Sequence, residues 1–144
     1  MSFVNAVKET PLLKEALKQG LGALGTNSSK VQPVYPRKCE GSVDIDTAVK
    51  TQYPTSSRWD YALGYDGETH FIEVHSAQTS DVESVLRKLQ WLKDFLAQDA
   101  PALNREPKKF HWIAAGKVSV LPGSSESRRL AKQGLRIIGR LPLK

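Results

Sequence analysis

Asp66-Gly67 stands between two segments of alternating residue type, Trp59–Tyr65 and Glu68–His75. A two-residue loop of this composition takes a type I′ turn, which needs positive φ at both positions, and it fixes the register of the strands it joins. Pairing outward from the turn sets Asp60 directly across from Glu73, and Arg58 across from His75. Alternation then puts Arg58, Asp60, Ala62, Phe71, Glu73 and His75 on one face of the hairpin. Trp59, Tyr61, Leu63, Ile72 and Val74 take the other face and supply core.

The rest of the chain provides elements to pack on this hairpin. A helix is expected over Phe3–Leu24 from apolar residues near helical spacing, with Pro11 as a point where it can split. Ser42–Lys50 alternates Val43, Ile45, Thr47 and Val49 with Asp44, Asp46 and Ala48, and reads as a strand. Pro33 and Pro36 keep the connection before it extended. Ser80-Asp81-Val82-Glu83 has the form of a capping box. It opens a helix to about Gln98 whose buried stripe is Val82, Val85, Leu86, Leu89, Leu92 and Leu96. Phe110–Ala115 is a short apolar strand, Ser125–Gln133 a basic helix closed by Gly134, and Leu135–Leu141 a last strand. The order α-β-β-β-α-β-α-β describes an α/β protein with a central mixed β-sheet flanked by helices.

At 144 residues the chain suits a single domain, 1–144. It divides into an N-terminal helical segment (1–25), a core (42–116) and a basic C-terminal helix and strand (117–144). No run approaches the roughly 20 apolar residues that cross a bilayer, and the charged N-terminus lacks the apolar stretch of a signal peptide. One cysteine, Cys39, leaves no internal disulfide and no Cys-cluster zinc site. The expected setting is cytoplasmic, with no membrane partner.

Charge is unevenly distributed. Residues 1–50 carry 7 basic and 5 acidic side chains, residues 51–100 carry 4 and 8, and residues 101–144 carry 10 and 2. An acidic middle beside a basic C-terminal third suggests a carboxylate site next to a polyanion-facing surface. Lys108, Lys109, Arg128, Arg129 and Lys132 are the candidates for that surface, and an ordinary lysine-rich exterior is the plain alternative. Such contacts hold a phosphate backbone without reading sequence.

Two carboxylates directly opposed on a sheet repel one another. Asp60 and Glu73 therefore need compensation: a hard cation bridging their oxygens, a raised pKa on one acid, or Arg58 and His75 as counter-charges. The functional reading is a magnesium-type site whose cation also contacts a phosphate. The plain alternative is a solvated, charge-balanced face. Asp44 and Asp46 could add a carboxylate or simply keep an edge strand soluble. His70 falls on the Trp59/Tyr61 side and His111 in its own strand, both with packing roles.

An acid in the second strand followed by Glu73-Val74-His75 in the third, within an α-β-β-β-α-β order, resembles the PD-(D/E)XK nuclease superfamily. The resemblance covers roughly 11–113 as topology, and its motif rests on three residues. It implies a restriction-endonuclease-like fold in which Asp60 and Glu73 ligate Mg²⁺ (or Mn²⁺), with His75 in the lysine's place. Trp59 stands for the proline of the family name. Histidine loses much of its charge near neutral pH, though two carboxylates nearby would raise its pKa. A lysine from elsewhere could serve instead: Lys50 at the end of the first strand, or Lys88 on the following helix. Glu15 falls where the family sometimes places another ligand.

These readings lead to a metal-dependent nuclease-like protein with Asp60, Glu73 and His75 as catalytic candidates and Lys50, Arg58, Lys88 and Glu15 as auxiliaries. Its partner is nucleic acid, with DNA favoured over RNA. The alternative is a catalytically inactive member of the same fold that binds nucleic acid or protein. A homodimer that embraces duplex DNA has no sequence feature behind it.

Overall fold

The computed structural model describes residues 2–144, so Met1 alone lies outside it. Helix α1 (Phe3–Lys8) begins where the Ser2 hydroxyl accepts from the Asn5 amide, and it stops well short of Leu24. Pro11 has no N–H to extend the ladder and disfavours helical backbone at Thr10, whose hydroxyl donates to the Ala6 carbonyl at 2.9 Å. From there to Lys30 the chain runs through 3₁₀ turns, Lys14–Ala16 and Gly22–Lys30, in place of the expected long helix.

Val31–Pro33, expected only as extended connection, forms strand β1. Strand β2 (Cys39–Asp44) begins three residues before the strand expected at Ser42 and ends at Asp44 rather than Lys50. The Asp44 carboxylate accepts from the Thr47 amide at 3.0 Å and caps a helical turn, α2 (Ile45–Ala48). The alternation over 44–49 suits a strand or a helix start, and the Asp44 cap decides between them.

The hairpin forms in the expected register. Asp66 has φ of 47° and Gly67 of 83°, and β3 (Tyr61–Tyr65) pairs antiparallel with β4 (Glu68–Ala77). Tyr65 opposes Glu68, Leu63 opposes His70 and Tyr61 opposes Ile72. Helix α3 (Asp81–Asp99) buries Val82, Val85, Leu89, Leu92, Phe95 and Leu96. Its capping box does not form, because Ser80 has helical backbone and makes no cap bond. Asp81, a charged and stronger acceptor, takes the Gln78 amide at 2.9 Å and the Ser76 hydroxyl at 2.7 Å.

A short α4 (Pro101–Asn104) leads to β5 (Lys108–Val118), longer at both ends than Phe110–Ala115. Helix α5 (Ser125–Lys132) is capped by the Ser124 hydroxyl. The expected last strand is split into β6 (Ile137–Ile138) and β7 (Leu141–Leu143).

The main sheet has the order β2-β3-β4-β5-β6. The first three strands are antiparallel and the last three parallel, with α3 and α4 in the crossover that parallel neighbours require. The α/β class and the mixed central sheet agree with the sequence reading. The α-helices gather on one face of that sheet. α1, α3, α4 and α5 bury their apolar residues with Ala62, Phe71 and Trp112, on one face. The opposite face, with Leu63, Ile72 and Ile113, is covered by the parallel pair β1–β7 and by Leu24. Packing under the helices is close enough that a Cβ on Gly64 would lie 2.5 Å from Phe3 Cγ. Among the described residues no helix is long and apolar enough to cross a membrane.

Candidate active site

The β3–β4 ladder ends at Tyr61 and Ile72, and beyond it side chains take over the pairing. Asp60 N–H donates to Glu73 Oε1 at 3.2 Å, while Val74 N–H donates to Asp60 Oδ2 at 2.9 Å. Each strand's acid thus satisfies a backbone donor of the other strand. Lys88, two turns into α3, completes the group. Its ammonium donates to Glu73 Oε2 and lies 4.0 Å from Asp60 Oδ1.

These acids sit on the helix-covered face, and neither is fully exposed. Glu73 is fully buried, whereas Asp60 and Lys88 keep 23% and 21% of their side chains exposed, so the site opens to solvent at the Asp60–Lys88 edge. Trp59 was expected across the sheet from Asp60, but it is buried in the helix-side core against Phe110. Asp60 precedes the regular ladder, so strict alternation does not extend to Trp59.

Burial, followed by the charge of Asp60, pushes the Glu73 carboxyl up to about 8, outweighing Lys88 and the Asp60 N–H. The Asp60 carboxyl is also raised, first by burial, and Asp46 and Asp44 add to the rise against Lys88 and the Val74 N–H. Asp44, Asp46, Asp60 and Glu73 thus act on one small region, where Arg58 and Lys88 are the cations. Arg58 Nε donates to Asp46 Oδ1 at 2.8 Å, and its guanidinium also donates to the Tyr53 carbonyl at 2.6 Å.

With Glu73 holding its proton up to about 8, the other three acids exceed the two cations by one charge, and a further cation at the site would favour release of that proton. A magnesium-type ion is held through one or two carboxylates, with waters and substrate phosphate completing its shell, and Asp60 and Glu73 fit that donor set. They are two ligands and not a full cage. Among the described residues no group of three His, Cys, Asp or Glu side chains is arranged to hold a metal.

The other expected site residues lie elsewhere. His75 makes no hydrogen bond or ion pair with Asp60 or Glu73. Its Nδ1 lies 2.9 Å from the Ser76 carbonyl and 3.9 Å from Asp81, and its ring meets the Trp112 edge. Arg58 does not face His75, because the ladder stops before it and Asp46 captures it. Glu15 is exposed in a 3₁₀ turn and Lys50 is exposed after α2, each without an ion-pair partner among the described residues.

The basic C-terminal third does not ring the carboxylates. Lys108 donates to the Asn104 carbonyl, and Lys109 lies 3.8 Å from Glu68. Both open β5 near the hairpin turn, whereas Glu73 is level with Trp112, roughly 13 Å further along. Arg129 pairs with Glu83 on α3, and Arg128 with the Gly123 carbonyl. Lys132 lines a shallow cleft against Leu86 and Gln90. Lys88 projects about 140° around α3 from Glu83, on the other flank of the buried stripe. Between these flanks the helix buries its apolar face.

Two features had no sequence expectation. Tyr53 donates its hydroxyl to Asp99 and packs edge-on against Trp91 and Phe95, pinning the loop after α2 to α3. His70 and His111 meet across β4 and β5. The pairing β4–β5 was needed to find the second, and it is not written in either strand alone. No family model, curated protein or solved structure shows a significant match to the chain.

Proposed function

We propose that the protein is a metal-dependent nuclease of the PD-(D/E)XK type, hydrolysing phosphodiester bonds of nucleic acid in the cytoplasm. The observation that carries this reading is the convergence of Asp60, buried Glu73 and Lys88 in one site that opens to solvent at its Asp60–Lys88 edge. The restriction-endonuclease-like fold belongs to the same proposal. Its support is the antiparallel β2-β3-β4 meander followed by a helical crossover to parallel β5.

Asp60 and Glu73 would hold Mg²⁺ or Mn²⁺, which when bound neutralises phosphate charge and lowers the pKa of a coordinated water. Glu73 gives up its proton to do so. Lys88 takes the part that the motif assigns to the position of His75, donating N–H groups to the attacking water or to a phosphate oxygen. His75, held by the Ser76 carbonyl and Asp81, is a positioning residue for the loop into α3. Nucleic acid is the expected partner, DNA ahead of RNA, because the net charge of +6 and the C-terminal basic residues favour a polyanion.

Calorimetry with Mn²⁺ on the wild type and on Asp60→Asn tests the site, with binding expected in the first and lost in the second. Equal binding by both, or none by either, removes it. Mg²⁺-dependent cleavage of DNA should vanish in Glu73→Ala.

A second reading is favoured by one observation: Lys88 already supplies a cation to Glu73, whose two oxygens both accept hydrogen bonds from this chain. A catalytically inactive binding module on the same fold would keep that arrangement permanently. It predicts salt-sensitive DNA binding that survives Asp60→Asn and Glu73→Gln, without metal uptake.

A further inference from the structure

On the sheet face opposite the carboxylates, β4 and β5 bring two imidazoles together. His70 Nδ1 and His111 Nε2 are 2.9 Å apart, and the rings stack at 5.2 Å with 17° between planes. His70 is only 4% exposed. Both line a cleft of about 390 Å³ that the β7 residues Leu141–Leu143 also border, together with Glu68, Lys109 and Arg136. That volume suits a small-molecule ligand.

The charges around the pair are not balanced. Glu68 lies 3.8 Å from Lys109, and Asp66 lies 3.4 Å from Lys38, so each acid of the cleft already faces a cation. Arg136 makes no side-chain hydrogen bond or ion pair with any described residue, and Lys144 stands at the rim. Burial disfavours protonation of His111, and the nearby His70, Lys109 and Arg136 act in the same direction.

Two neutral imidazoles joined by one hydrogen bond leave one N–H and one lone pair for a ligand. One added proton converts both outer nitrogens into donors. An anion in the cleft would repay that proton and pair with Arg136, whose planar fork matches phosphate oxygens. A divalent metal ion would meet Arg136 and Lys109 as like charges, and no third ligand stands ready among the described residues.

We propose that this cleft binds the phosphate group of a small ligand, recognised by Arg136 and by the His70–His111 pair. The site is separate from Asp60, Glu73 and Lys88, and it stands or falls independently of the nuclease reading.

The test follows the imidazole resonances of His70 and His111 by NMR while inorganic phosphate is titrated into the full chain at constant ionic strength, with chloride as the control. Saturable shifts toward the imidazolium form are expected with phosphate and not with chloride. Arg136→Gln, an exposed position that leaves the core intact, should weaken the response about tenfold. Glu73→Gln should leave it unchanged. Absence of a saturable shift, an equal response to chloride, or an undiminished response in Arg136→Gln overturns the proposal. So does a pair that responds to Zn²⁺ and not to phosphate.

Discussion

Asp60 and Glu73 hold one another's strands: the Asp60 amide donates to Glu73 Oε1, and the amide following Glu73 donates to Asp60 Oδ2. The two acids expected to repel across a regular ladder instead extend that ladder with their side chains. Their remaining charge is met by Lys88 from α3. The candidate site is therefore also a structural joint between the hairpin and the helix layer, and stability measurements can interrogate it without a substrate.

Lys88→Met should destabilise the fold by about 2 kcal/mol, because it leaves a buried carboxyl without its charged donor. In a Glu73→Gln background the same substitution should cost about half as much, since the two residues share one interaction. Urea unfolding of the four proteins in this cycle measures the coupling, and additive losses would refute it.

Glu73 makes stability pH-dependent. Folded Glu73 holds its proton up to about 8, whereas the unfolded side chain releases it near the ordinary 4.5. Between those values the folded state binds more protons, so stability falls as pH rises. The contribution is fully present below about pH 4.5 and gone above about pH 8, an effect on the order of a few kcal/mol. Glu73→Gln should flatten this slope in denaturation curves taken from pH 5 to roughly 8. A slope unchanged in the variant would show that another group sets it.

His111 acts with the opposite sign. Burial, His70, Lys109 and Arg136 lower its pKa from 6.5 to about 4, so the unfolded chain takes up a proton that the folded chain refuses. Stability should fall as pH drops from 6.5 toward 4, by about 3 kcal/mol in total. His111→Asn should remove most of this acid limb, which thermal melts at pH 4.5, 5.5 and roughly 6.5 would reveal.

Gly64→Ala tests the seating of α1 on the sheet. The new methyl would lie 2.5 Å from Phe3 Cγ, inside contact distance, and Phe3 is buried. A loss of about 1–3 kcal/mol is expected, largely relieved when Phe3→Ala is added to make room. If the double variant remains as weak as the sum of its parts, the close approach of α1 is not the cause.

Much of the hairpin was legible because its information is local. Asp66-Gly67 favours a two-residue turn, and that turn sets the register by which residues 60 and 73 come to face one another just past the ladder. The apolar stripe of α3 was legible for the same reason, since each turn of a helix repeats the pattern. Asp44 and Pro11 show where local reading stops: each sits in a stretch compatible with two structures, and a single cap or a missing N–H selects one.

By itself the chain determined the hairpin register, the α/β class and the presence of a facing acid pair, all consequences of short-range sterics and periodicity. Tertiary structure alone decided that Lys88 rather than His75 reaches those acids, because the helix crossover sets which flank of α3 faces the end of β3. It also decided that the basic residues of α5 lie across α3 from the site, and that His70 meets His111. Those contacts join residues far apart in sequence, and only the packing of one element on another gives them a distance.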